Sequence, residues 1–179
     1  MNEQEILKTE LRWSAIVAGA IGVIVVVIVI SSAAMVLHPP SNIEPIDPTS
    51  LHREGEFVEA NLGSIENPDG SITVRIVATQ FAFLPRCVPV PVNRRVVFRF
   101  ATPDVIHGLL ISGTNVNTMV VPGYVSQVNT VFPEPGDRFV PCHEYCGIGH
   151  GGMWSIVRVV SEEEWQPDSN GRMTCEFPH

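Results

Sequence analysis

The stretch "CHEYCGIGHGGM", Cys142 to Met153, places two thiols, two imidazoles, a carboxylate and a thioether within twelve residues. Thiolate and thioether are soft ligands and imidazole is borderline. That set suits copper, or zinc if the methionine is left aside. Structural zinc takes four Cys or His ligands in a closed tetrahedron and has little use for Met153. A disulfide between Cys142 and Cys146 would leave His150 and Met153, which follow at intervals of four and three, without a purpose. A blue copper site combines one Cys, two His and a weak axial Met. This loop holds Cys, His and Met in that order, plus one further thiol. Two sulfurs can bridge two copper ions, each of which then needs its own imidazole and a weak outer ligand. His150 is placed to cap one of them.

The second imidazole has to come from outside the loop. Of six histidines, His38 and His52 lie in a Pro-rich stretch, His179 is the last residue, and His143 sits between the two cysteines. His107 remains, in "TPDVIHGLLI", 35 residues before Cys142. A strand end and a distant loop can meet at one pole of a Greek-key β-sandwich. Asp104, three residues before His107, is positioned to fix the imidazole ring by a hydrogen bond.

Elements able to position these groups are legible nearby. "NPDG" at 67–70 is a turn signal, and Ile72, Val74, Ile76 and Ala78 alternate with Ser71, Thr73, Arg75 and Val77. "RRVVFRFAT", "HGLLISG", "SQVNTVF", "GDRFVPC" and "MWSIVRVV" are further short apolar runs broken by Gly or Pro. Such spacing predicts an all-β sandwich or barrel. "SEEEW" reads as one helical turn or a strand exit.

The start of the chain is different. From Trp13 to Leu37 there are 25 residues without a formal charge. As a helix this run reaches about 37 Å, more than a hydrocarbon core of about 30 Å. A cleaved signal peptide would have a shorter apolar core behind a basic start. Here the preceding "MNEQEILKTELR" is mixed in charge and no A-x-A site follows. Ala18 and Gly22 form a small-xxx-small face suited to helix packing. Lys8 and Arg12 precede the run, and no Lys or Arg follows it until Arg53, which keeps the N-terminus cytoplasmic. Beyond Leu37 nine arginines stand against sixteen acidic residues. An acidic domain does not fit nucleic-acid binding.

The expected organisation is a cytoplasmic N-terminus (1–12), a transmembrane helix (13–37) and a Pro-rich tether and lead-in (38–66). A copper domain (67–162) and a C-terminal tail (163–179) follow.

The pattern C-x-E-x-C-G-x-x-H-x-x-M, filled by Cys142, Glu144, Cys146, Gly147, His150 and Met153, resembles the binuclear copper A motif of cytochrome c oxidase subunit II. "AFLP", "TPDVIHG", "GTNVN", "VPGYVS" and "PGDRFVPC" are similar to the single-helix subunit II of B-family (ba-type) haem-copper oxidases. The resemblance runs from Glu10 to about Val160. It implies a cupredoxin-like Greek-key sandwich with two copper ions. Cys142 and Cys146 would bridge them, His107 and His150 would be terminal ligands, and Met153 and the Glu144 carbonyl would be weak axial ligands. It also implies a proton-translocating oxidase. Electrons would arrive from cytochrome c or a small copper protein and pass to haem in subunit I, where oxygen is reduced. The domain would then lie on the periplasmic side of the inner membrane.

Several residues keep two readings. In A-family oxidases a glutamate at the position of Glu144 also contacts Mg²⁺ at the subunit interface. The alternative is a hydrogen-bonded interface carboxylate. Glu10 resembles a B-family glutamate at the mouth of a proton channel, and an interfacial charge reads equally well. Phe81 and Phe83 fall where relatives carry a Trp/Tyr-rich stretch, and core packing is expected of them. Trp154 either shields the copper loop or lies on a strand face. Cys87 and Cys175, left over after copper takes two thiols, are candidates for a disulfide. Two alternative functions remain: the copper A subunit of a nitric oxide reductase, and a membrane-anchored copper-delivery protein.

Overall fold

The computed structural model describes residues 2–34 and 44–177. The chain forms two compact units, residues 1–41 and 42–179. In the first, helix α1 spans Glu3–Ala34. It begins ten residues before the expected span. Asn2 accepts from the Glu5 backbone N–H (2.9 Å) and donates its own N–H to the Glu5 carboxylate (3.1 Å), a reciprocal cap that starts the helix early. The length and composition of this helix are sufficient to cross a membrane. Positions 35–37 of the expected span, and His38 after it, lie outside the described residues.

The second unit is a β-sandwich. Its strands are β1 (Glu44–Pro45), β2 (Gly63–Glu66), β3 (Ile72–Thr79), β4 (Ala82–Leu84), β5 (Cys87–Pro91) and β6 (Arg95–Ala101). They continue with β7 (His107–Leu110), β8 (Asn117–Val120), β9 (Tyr124–Val131), β10 (Gly136–Pro141), β11 (Trp154–Val160) and β12 (Arg172–Met173). One sheet runs β1-β9-β6-β3-β2-β12 with β4 paired to β3, a second runs β10-β11-β5, and β7-β8 form a hairpin. Two pairs, β3/β6 and β5/β11, are parallel. Each requires a crossover between its partners. Ile72, Val74, Ile76, Phe98 and Phe100 of the first sheet pack on Val88, Val90, Val157 and Val159 of the second. The expected alternation in β3 is present, with one difference: Val77, on the other face, is also buried.

The burial of Val77 is caused by the stretch expected to be a tether. Over residues 44–66 this stretch is folded onto the first sheet. Leu51 and Phe57 cover Val77, Ala101 and Val125, forming a second apolar cluster. Each such side chain contributes about 2 kcal/mol of burial free energy. Glu56 pins the cover from its edge. It accepts from Arg75 Nε (3.1 Å) and Arg99 Nε (2.9 Å), two arginines that sit side by side in the β3/β6 register. β2 places residues 63–66 inside the sheet, ahead of the expected domain start at 67. The tail beyond 162 is tied in as well. Trp165 is buried and donates Nε1–H to Glu66 (2.8 Å), and β12 pairs with β2.

Candidate metal centre

β7 opens on His107, and the loop 142–153 connects β10 to β11. Two backbone links bring them together and a third closes the loop on itself. Leu109 bridges to Cys142, the His143 N–H donates to the Gly108 carbonyl (3.2 Å), and the Cys142 N–H donates to the Met153 carbonyl (3.0 Å). Gly108 permits this approach. A Cβ there would stand 2.5 Å from the His143 ring and 3.0 Å from the Glu144 nitrogen.

The donor atoms converge. Cys142 Sγ lies 3.9 Å from Cys146 Sγ and 4.0 Å from His107 Nδ1. Cys146 Sγ lies 3.6 Å from both His150 Nδ1 and Met153 Sδ. The Glu144 carbonyl is 3.3 Å from Cys142 Sγ. The ligating atoms of His107, Cys142 and Cys146 all lie within 4.8 Å of one another. His107, both cysteines and Met153 are buried, while His150 is half-buried at the rim. Two sulfurs, a thioether and two imidazoles with no carboxylate oxygen among them fit copper better than a hard cation.

Electrostatics follow from that burial. Burial, and then the neighbouring Cys142, push the Cys146 thiol up to about 11. In the metal-free chain this thiol therefore keeps its proton, and metal uptake must release it. Asp104 is opposite in sense. Burial works to raise its pKa but is outweighed by the His107 ring and the Gln80 and Val105 N–H groups, which hold the carboxyl far below its usual range. An ionised carboxylate only accepts, so His107 donates Nε2–H to Asp104 Oδ1 (2.8 Å) and presents the Nδ1 lone pair towards Cys142.

Comparison with known proteins shows the family. The family model described as the periplasmic domain of cytochrome C oxidase subunit II matches residues 73–160. Cytochrome c oxidase subunit 2 of Thermus thermophilus is 36% identical over 124 residues, covering 69% of this chain and 91% of that protein. The chain belongs to the cytochrome c oxidase subunit II family. Its counterpart in Cereibacter sphaeroides is 40% identical over 76 residues, which are 42% of this chain and 25% of that one. Among solved structures, a chain of a heme-copper terminal oxidase dimer aligns with TM-score 0.66 and 25% identity. The alignment covers 87% of this chain and 99% of the other.

The remaining expected residues of this subunit II chain fall as follows. Cys87 and Cys175 are joined in a disulfide with a Cα–Cα separation of 5.6 Å. Trp154 does not shield the ligands. Met153 points inward, so the next residue of the strand faces the other way, and Trp154 packs on Phe139, Phe177 and Arg86. Phe83 is buried as expected, but Phe81 is not a core residue: it is 38% exposed. Its ring lies against the loop, 2.5 Å from where a Cβ on Gly149 would stand. Glu144 has an exposed side chain, and Glu10 lies exposed within α1. Gln80 was not singled out by the sequence. Its side-chain amide donates to the Cys146 carbonyl (2.6 Å) across 66 residues of chain, a distance at which no spacing rule operates.

Proposed function

We propose that this chain is the membrane-anchored electron-transfer subunit of a haem-copper oxidase and holds a binuclear copper A centre. The observation that carries the reading is the convergence of Cys142, Cys146, His107, His150 and Met153 on one small volume. Cys142, Cys146, His107, His150, Met153 and the Glu144 carbonyl would hold the copper pair. When bound, the copper pair supplies reversible one-electron transfer. The chain itself prepares the ligands. Asp104 keeps the proton of His107 on Nε2. Burial of both thiols excludes water. The paired strands β10 and β11 hold the loop ends at fixed separation, which limits rearrangement on electron transfer.

Electrons arrive from cytochrome c or a small copper protein and leave to haem in subunit I. Tyr145 and Ile148, exposed on the copper loop, offer the donor an apolar contact. The single helix and the "TPDVIHG" and "VPGYVS" stretches support a B-family (ba-type) assignment. Lys8 and Arg12 support a cytoplasmic N-terminus in the inner membrane, with the copper domain on the periplasmic side. Within the assembly the exposed Glu144 carboxylate is available to Mg²⁺, a hard cation suited to oxygen. Glu10 collects protons at the membrane rim. The oxidase identity of the relatives disfavours the nitric oxide reductase and copper-delivery readings.

The test is to load the detergent-solubilised full chain with copper, count copper per chain and record its electron paramagnetic resonance spectrum. Two coppers sharing one unpaired electron are expected. A single localised copper, or metal lost readily to a chelator, overturns the assignment.

A further inference from the structure

The corner between β3 and β4 makes three contacts around the candidate ligands, two with the copper loop and one with the Asp104 carboxylate, none of them to a ligating side-chain atom. The Gln80 side-chain amide donates to the Cys146 carbonyl at 2.6 Å. The Gln80 backbone N–H donates to Asp104 Oδ2 at 2.7 Å, and the other oxygen of that carboxylate accepts from His107. Next in sequence, Phe81 lies over Gly147 and Gly149, where added Cβ atoms would stand 2.9 and 2.5 Å from its ring.

The loop has few other restraints at this point. Cys142 is fixed by the strand ladder through Met153 and the bridge to Leu109. Cys146 lies in the middle of the loop, where the neighbouring backbone bond is the single-turn link from the His150 N–H to the Gly147 carbonyl (3.1 Å). A carbonyl that accepts a side-chain donor has its peptide plane set, and this fixes the direction of the Cα–Cβ bond behind it.

We propose that Gln80 is a positioning residue for the metal centre. Its amide sets the Cys146 peptide, and hence the Cys146 sulfur, while its backbone N–H binds the same carboxylate that orients His107. One residue thereby coordinates the placement of a bridging thiolate and a terminal imidazole that are 39 positions apart in the chain. The inference rests on the copper A reading for its consequence, but the restraint itself exists in the metal-free chain.

Gln80→Met keeps the length of the side chain and removes the donor. The first readout is metal-free: the rates at which iodoacetamide alkylates Cys146 and Cys142 in the detergent-solubilised full chain at fixed pH. Both thiols are buried, so each reacts through local opening. Loss of one hydrogen bond of ordinary net strength should raise opening at Cys146 roughly fivefold. Cys142, held by the strand ladder, should be unchanged. The second readout is the copper hyperfine pattern and reduction potential of the loaded chain, which should both shift. A Cys146-to-Cys142 rate ratio equal to that of the parent chain overturns the proposal, as does a parallel rise at both thiols, which would report general loosening. If the parent chain lacks a two-copper signal while the ratio still changes, the copper A reading fails and the positioning role stands. If the parent shows that signal and Gln80→Met leaves ratio, spectrum and potential unaltered, the positioning role fails alone.

Discussion

Asp104→Asn should weaken both the fold and the metal centre. The Asp104 carboxylate accepts five hydrogen bonds. Oδ1 takes His107 Nε2 (2.8 Å), Thr102 Oγ1 (2.9 Å) and the Val105 N–H (2.6 Å), and Oδ2 takes Thr79 Oγ1 (2.9 Å) and the Gln80 N–H (2.7 Å). Asparagine retains one acceptor and turns the other into a donor. In its best orientation the amide nitrogen replaces Oδ2. The Thr79 hydroxyl can rotate to accept, but the Gln80 N–H is left facing another donor. An unmet donor of this kind costs about 1–3 kcal/mol. The bond to His107 also loses its charge assistance, at about 1 kcal/mol more. A loss of about 2–4 kcal/mol is therefore expected for the metal-free second unit, residues 42–179, read from urea unfolding. Copper affinity should fall by about 10–100-fold, because the bond that holds the imidazole in one tautomer and orientation is weakened. Competition against a chelator of known affinity measures it. A variant within about 0.5 kcal/mol of the parent, with unchanged copper affinity, would refute the reasoning.

Two further outcomes follow from the packing of the chain ends. Glu56→Gln should cost about 2 kcal/mol at neutral pH, since Glu56 is a partly buried partner of two adjacent arginines. Burial opposes ionisation of Glu56, but Arg99 and Arg75 outweigh it and hold its pKa below the ordinary 4.5. The contribution is thus complete above pH 4.5 and lost as pH falls through the folded value, so parent and variant should converge in acid. Equal differences at pH 7 and in acid would contradict this. Replacing both Cys87 and Cys175 by Ala opens a loop with a sequence separation of 88 and should lower stability by about 4 kcal/mol. The double variant should unfold at the same urea concentration with or without a reductant, while the parent should lose stability when reduced.

Much of the site was readable because it is local. Cys142, Cys146, His150 and Met153 lie within twelve residues, and their intervals specify a soft-metal loop before any fold is known. The membrane-length helix was readable for a similar reason: one uncharged run carries it. Strand β3 was legible from alternation, which a half-buried sheet imposes on its own sequence, and β6, β9 and β11 from short apolar runs broken by Gly or Pro. β5 was not. Its "CVPVP" carries two prolines, which argue against a strand, yet it lies at the edge of the β10-β11-β5 sheet, where missing N–H groups are tolerated.

What only the tertiary structure decided concerns partners distant in the chain. Pro39, Pro40, Pro45 and Pro48 suggested a tether over 38–66, but Leu51 and Phe57 found apolar surface on the back of the first sheet, which β3, β6 and β9 create jointly. Trp154 could have faced the copper loop or away from it, and the inward setting of Met153 determined which. Gln80 gave no sign of a role and Phe81 was expected in the core, because the loop they touch is reached only through the crossover of the sandwich. Ligand identity is a property of residue type and spacing, and the sequence carries it directly. Ligand placement depends on contacts whose cost and reward are set by surfaces assembled from several strands, and those exist only once the chain is folded.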